Sequence, residues 1–385
     1  MMRSGCRMSL VMWIRVWVMV AAVVDVLGGG CLIAAGMEVG CGVRFKDEVA
    51  SFKVAIFADL HYGENAWDEW GPRQDVNSTA VQSFLLDHER PDFVVYLGDL
   101  ITANNLPCHD AVLHWFQAVG PAVDRKIPFA SVFGNHDDAS FEWDPHSGVG
   151  PDEPLQTTSR TELMDFDMSL PSSYSSSGPK TLLPSVSNFF VPIASSDGTR
   201  IVAIMYFLDS GGGSMAEFIS ADQIAWFTTT ASKFNSDASI PELVFWHIPS
   251  IAYTRSGPKP NQPIEAPCVG SINDESIAPQ ETEWGIMNVL TNRSSVKAVF
   301  VGHNHGLDWC CPYNNLHLCF ARHTGYGGYG KWKRGARFVE ILQEPTTLQI
   351  RTSVTLEDGS VVSELILALD KVEPYIQQNV ASSIL

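Results

Sequence analysis

The chain has 385 residues, a formal net charge of -18 at pH 7, and 45% hydrophobic and 10% aromatic residues. That is ample apolar material for one large core, and no internal repeat or linker divides it. So acidic a chain repels a phosphate backbone, which argues against nucleic acid as its main partner.

At the N-terminus, Arg3, Arg7 and Arg15 flank or interrupt an apolar stretch from Met8 to Val24, and the small residues Ala34, Ala35 and Gly36 follow. This reads as a secretory signal over residues 1–35, with an uncleaved signal anchor as the alternative. Arg15 and Asp25 weigh against a membrane-spanning helix. The expected location is therefore secreted, extracellular or cell wall, or else anchored to an endomembrane. Loss of 1–35 removes three Arg and one Asp and takes the charge from -18 to -20. Cys6 and Cys31 leave with it, and Cys41, Cys108, Cys268, Cys310, Cys311 and Cys319 remain, an even set that allows up to three disulfides. The adjacent Cys310 and Cys311 are not expected to pair with each other. Two sequons, at Asn77 and Asn292, fit the same export route as glycosylation sites.

A single domain is expected over 50–360, with an insertion at 140–184 and a tail at 361–385. Its first apolar run, Phe52 to Phe57, has strand length and ends at Asp59-Leu60-His61. Asp75 to Glu89 has helical spacing, with Val76, Ala80, Val81, Phe84 and Leu85 as its apolar stripe, and Ala111 to Val119 is similar. Between them Phe93 to Leu97 runs into Gly98-Asp99, and afterwards Phe129 to Phe133 runs into Gly134-Asn135-His136-Asp137. Ser140 to Pro184, rich in Ser, Pro and Asp, reads as a long irregular flap on the substrate side. Asn188 to Pro192 and Arg200 to Leu208 flank Asp197-Gly198 as a hairpin. Leu243 to Phe245 leads to Trp246-His247, and Val296 to Val301 leads to Gly302-His303-Asn304-His305. Gly325 to Gly330 reads as a rim loop beside the site, and Val339 to Leu342 and Leu348 to Val354 as two further strands.

Five buried strands thus end where polar residues begin, and in open α/β sheets such ends gather round one crevice. They offer Asp59, His61, Asp99, Asn135, His247, His303 and His305 as metal ligands. Two ions about 3.5 to 4 Å apart can clamp both the attacking and the leaving oxygen of a displacement at phosphorus. His88, His109, His114, His146, His317 and His323 lack such a context and read as surface or satisfied core histidines.

In order and spacing these blocks, from Lys53 to His305, resemble the calcineurin-like metallophosphoesterase superfamily. More narrowly, Phe57-Ala58-Asp59-Leu60-His61-Tyr62-Gly63-Glu64, Gly98 to Asn105 and His247-Ile248-Pro249 resemble the short, single-domain plant purple acid phosphatases, a subgroup classed as inactive. The resemblance implies an α/β (α+β) sandwich of two mixed β-sheets packed face to face with flanking helices. It also implies two metal ions, iron with zinc or manganese. Asp99 would bridge them, with Asp59, His61 and His305 on the first and Asn135, His247 and His303 on the second. A metal-bound hydroxide would attack a phosphate monoester, and Asn135, His136 and Asn304 would touch the substrate.

Two departures are visible. Thr102 stands where the larger purple enzymes carry a Tyr ligand to ferric iron, so no purple colour is expected and a divalent pair gains ground. From Ile248 to Gly302 there is no histidine to match their second one, so general-acid work falls to His136, with Asp137 expected to orient its ring. Arg160 and Arg255 read either as phosphate clamps or as surface ion pairs. The expected partner is a phosphate ester, with no nucleic acid and no stable membrane partner. The alternatives are a phosphodiesterase or nucleotide pyrophosphatase, and a non-catalytic metal- and phosphate-binding homologue.

Overall fold

The computed structural model describes residues 31–34, 37–41, 43–45, 50–106, 110–150, 157–344 and 346–371. Most of the expected signal, Cys108, His109 and the last part of the expected tail lie outside them. Its strands are β1 (Cys31–Ala34), β2 (Met37–Cys41), β3 (Val43–Arg44), β4 (Ala50–Phe57), β5 (Phe93–Leu97), β6 (Phe129–Val132), β7 (Phe189–Ala194), β8 (Ile201–Phe207), β9 (Glu242–Phe245), β10 (Val296–Val301), β11 (Cys310–Tyr313), β12 (Leu316–Phe320), β13 (Gly335–Gln343), β14 (Thr347–Leu356) and β15 (Val361–Lys371). The helices are α1 (Gly71–Glu89), α2 (Ala111–Asp124), α3 (Arg160–Ser169), α4 (Ala221–Phe234), α5 (Ile251–Ser256) and α6 (Ile286–Thr291).

Two sheets face each other, a six-stranded one ordered β15-β14-β13-β4-β5-β6 and a seven-stranded one ordered β11-β12-β10-β9-β8-β7-β3. Both are mixed: β4, β5 and β6 run parallel while β13 joins β4 antiparallel, and β8, β9, β10 and β12 run parallel while β7 is antiparallel to β8 and β11 to β12. Because side chains alternate along a strand, Val54 and Ile56 enter the core between the sheets, while Ala55 and Phe57 meet the helices outside. Residues from α1, α2 and α3 cover the six-stranded sheet, and residues from α4, α5 and α6 the other. The central core includes a ladder of rings across β7, β8, β9 and β10, in which Phe189, Phe207, Phe245 and Phe300 stack at centroid spacings of 4.6, 5.2 and 5.2 Å. Such stacks add to area burial and accompany the register that puts Phe300 beside Phe245, hence His303 near His247.

Three expectations are corrected. The buried face of α1 is Gln74, Ser78, Val81, Gln82, Leu85 and Leu86, whereas Val76 is 68% exposed. Polar residues occupy that face because they have partners there: Gln82 donates to the Tyr62 hydroxyl and the Ser78 hydroxyl accepts from the Tyr326 amide. The segment 140–184 is not irregular throughout. It contains α3, begun by a capping box between Ser159 and Glu162, and its Ser172 to Tyr174 stretch bonds Phe129 on the edge strand β6. Such cover protects an open sheet edge. Residues 361–371, expected as tail, form β15, which pairs with β14.

Adjacent cysteines on β11 point to opposite faces, so each takes a different partner: Cys310 bonds Cys319 on β12, directly across the ladder, and Cys311 bonds Cys268. Among the described residues no helix is long and apolar enough to cross a membrane. Asn292 is exposed at the end of α6, and Asn77 lies half-buried within α1.

Candidate metal centre

The candidate ligands follow β4, β5, β6, β9 and β10. Four of them leave their strands in the left-handed region: Asp59, His61, Asp99 and His303 have φ of 58, 52, 50 and 70°. A side chain makes that conformation costly, by roughly 1 kcal/mol or more each, and it persists only where the surroundings impose it. Here backbone bonds do so, for the Asp59 amide donates to Gly98 O and the Leu60 and His61 amides both donate to Asp99 O. Gly98, at φ 85°, admits no side chain, since a Cβ there would lie 2.5 Å from His247 Nδ1.

All seven expected ligands come together. Donor atoms of Asp59, His61 and His305 lie within 4.8 Å of one another, as do those of Asp99, His247 and His303. Asn135 Oδ1 adjoins the second group, 3.2 Å from His247 Nε2. Asp99 Oδ2 stands between the groups, 3.1 Å from His247 Nε2 and 3.8 Å from His61 Nε2.

The imidazoles are held from behind. His61 Nδ1 lies 3.0 Å from Thr102 Oγ1, His247 Nδ1 donates to Leu97 O at 2.8 Å, and His305 Nδ1 donates to Tyr329 O at 3.1 Å. Each ring therefore directs Nε2 at the cluster, the arrangement that orients histidine ligands. His305 is also sandwiched between Tyr329 and His323, at centroid distances of 4.0 and 3.9 Å. The 325–330 loop makes this packing feasible through Gly328, at φ 71°, where a Cβ would come within 2.3 Å of His305 Cε1.

Donor chemistry fits cations. Among the described residues, Asp59 Oδ2 and His303 Nδ1 are buried with no hydrogen-bond partner, which is costly unless a cation satisfies them. His61 Nε2 and His305 Nε2 face each other at 3.2 Å, close to the roughly 3.0 to 3.4 Å between two imidazole nitrogens bound at about 2.1 Å to one ion. Imidazole, carboxylate and amide donors suit a first-row transition metal.

Among the side chains themselves, the buried charges compensate one another. Burial, with the Asp99 charge nearby, pushes the Asp59 carboxyl up. Burial also opposes charge on Asp99, yet His247 and His136 beside it hold its carboxyl well below the usual range. Burial opposes charge on His247 too, but Asp99 outweighs it and lifts the ring to about 9. Burial lowers His303 and His305 to about 3, so both stay neutral and able to ligate at neutral pH.

Asp137 does not orient His136, contrary to expectation. Its buried carboxylate accepts instead from the amides of Asp99 and Ile101 at 3.0 Å and of Gly134 at 2.7 Å, tying the β5 and β6 loops together. His136 Nδ1 is partnered by Asn104 Oδ1 at 3.0 Å, and its amide donates to Asp99 Oδ1 at 2.7 Å. Sequence reasoning missed Asn104 in this role; its only signal was its place in the Gly98 to Asn105 block.

Arg160 is neither a phosphate clamp nor a surface ion pair. It is buried between Asp138 and Asp209, at 2.9 and 2.6 Å, and also bonds the carbonyls of Gly134 and Gly212. Arg255 is exposed on α5 and does not line the cleft. Asn304 does line it, with both ends of its amide engaged by Ser276 O and the Ala278 amide.

Above the cluster opens a cleft of about 630 Å³, with Asp99, His61, His303 and His305 among its lining residues and His136 and Thr102 beside them. A family model described as calcineurin-like phosphoesterase matches residues 52–307. The chain belongs to that family. The chain is 27% identical over 331 residues to "Probable inactive purple acid phosphatase 28" of Arabidopsis thaliana, covering 77% of each chain. It is 29% identical over 312 residues to "Phosphatase DCR2" of Saccharomyces cerevisiae, covering 74% of this chain and 49% of that one. Among solved structures, a dimetal phosphatase from Danio rerio aligns over 84% of this chain and 99% of its own, with 13% identity and a TM-score of 0.52, a likeness of fold.

Proposed function

We propose that this phosphoesterase is a secreted, metal-dependent phosphomonoesterase with a dinuclear centre. The observation that carries the reading is Asp99, one buried carboxylate facing the imidazoles of two separate donor groups at the floor of an open cleft. Asp59, His61 and His305 would hold one ion, Asn135, His247 and His303 the other, with Asp99 shared. When bound, two such ions supply Lewis acidity at the phosphoryl oxygens and a water that is nucleophilic near neutral pH. Asn104 keeps the His136 ring on the cleft wall, where it donates a proton to the departing ester oxygen. Two disulfides support an oxidising compartment, hence export. Thr102, at hydrogen-bond distance from His61, serves as a ring anchor, which favours a divalent pair over ferric iron.

Steady-state hydrolysis of a generic aryl phosphate, after loading with iron, zinc or manganese, tests the reading. The expected result is a rate well above that of the metal-stripped chain. No rate with any metal would instead favour a metal-bearing binding protein, a reading that the absence of a histidine from Ile248 to Gly302 supports.

Thr102→Val keeps the side chain's shape and removes the partner of His61 Nδ1. Loss of such an orienting bond typically weakens metal affinity about 10- to 100-fold. Competition against a chelator measures it, and an unchanged affinity would show that packing alone orients His61.

A further inference from the structure

Phosphate esters are anions, yet no Lys or Arg is among the described residues lining the cleft. Apart from Asp99 on the floor, its acidic lining residues are Glu64, Glu142 and Asp144, interleaved with the rings of Trp67, Trp143 and Tyr329. The floor itself is built for cations, with His303 lining it and its buried Nδ1 unpartnered among the described residues. The two regions therefore differ in what they attract.

The acidic wall is anchored next to His136. The Glu142 amide donates to Asn104 O at 2.8 Å, and Asn104 is the residue that also holds His136 Nδ1. Trp143 Nε1 donates to Val149 O at 2.9 Å, which pins the indole by its edge and leaves the side chain 50% exposed. The leaving group of a phosphate held on the floor would depart past His136 and hence along this wall. An anionic leaving group is repelled there, whereas an ammonium group gains both carboxylate attraction and contact with aromatic faces.

We propose that the cleft selects phosphate monoesters whose alcohol carries a positive charge, the aminoalkyl and quaternary ammonium alcohols being the class. The proposal rests on the phosphomonoesterase reading above. In the reaction the ester P–O bond breaks, a water oxygen bonds to phosphorus and gives up a proton to solvent, and the leaving oxygen takes a proton from His136, which solvent restores. The products are inorganic phosphate and a cationic alcohol, with no redox partner required.

A matched pair of substrates tests it: phosphocholine and 3,3-dimethylbutyl phosphate, which have the same shape but differ by the positive charge. The expected kcat/KM ratio is about tenfold or more in favour of phosphocholine, of the size a desolvated cation–π contact provides. It should fall towards one in Glu142→Gln and in Trp143→Ala, and shrink as salt is raised. Calorimetric binding of the corresponding non-hydrolysable phosphonates to the metal-loaded chain gives the same comparison without turnover. Equal affinity for the two phosphonates would overturn the proposal even if aryl phosphate is hydrolysed. A preference for the charged phosphonate without turnover of any ester would sustain the wall's selectivity and overturn the phosphatase reading instead.

Discussion

On the dinuclear phosphomonoesterase reading, Asp99→Asn is expected to lower aryl phosphate hydrolysis by more than the roughly 100-fold that losing a mere orienting residue costs, and to take the bound metal from two ions to at most one. The substitution keeps the shape of the side chain, and an amide oxygen can still accept from the His136 amide as Asp99 Oδ1 does at 2.7 Å. What disappears is the negative charge at Oδ2, the atom that faces His247 and His61. An amide presents one neutral oxygen and a nitrogen that does not ligate, so it cannot hold two cations at once. Metal content per chain, measured alongside kcat/KM, checks both halves. Two tightly bound ions with undiminished turnover would remove Asp99 from the shared position.

Asp137→Ala acts through the fold rather than through the metals directly. Its carboxylate is the acceptor for the buried amides of Asp99, Ile101 and Gly134. Each such donor left without a partner costs about 1 to 3 kcal/mol, so the chain loses about 3 to 9 kcal/mol, a large share of a typical domain's stability. Asp137→Asn, which keeps one acceptor oxygen and adds an unwanted donor, falls between the two. Denaturant unfolding measures the loss, and both variants should also bind metal less tightly because the β5 and β6 loops are no longer tied. A stability within about 0.5 kcal/mol of the parent, as for an ordinary surface change, would show that water or a neighbour takes over those amides.

Both effects lie in blocks that could be read from the chain, though with different success. Asp99 was legible because it follows a buried apolar run and a glycine, a local pattern. The role of Asp137 was not, for it depends on amides 36 and 38 positions earlier. The same holds for Asn104, which partners a ring 32 positions away, and for Thr102, which lies 41 positions from His61. The α1 stripe was misassigned for a related reason. Apolarity marked Val76 and Phe84 for burial, but Ser78 and Gln82 are inside because distant residues supply their hydrogen bonds. Arg160 was misread because no local feature distinguishes a surface arginine from one enclosed by Asp138 and Asp209, 22 and 49 positions on either side.

By itself the sequence determined the apolar runs that become β4, β5, β6, β9 and β10, the residues that follow each, and the glycine spacing that lets the loops approach one another. These are properties of short segments, set by side-chain periodicity and backbone freedom. Only the tertiary structure decided which rings face which carboxylates, that Cys310 pairs with Cys319 and Cys311 with Cys268, that β15 closes the six-stranded sheet, and that carboxylates and indoles share one wall of the cleft. Those outcomes depend on strand order and register, which bring together residues far apart along the chain and can be chosen only when both sheets are in place.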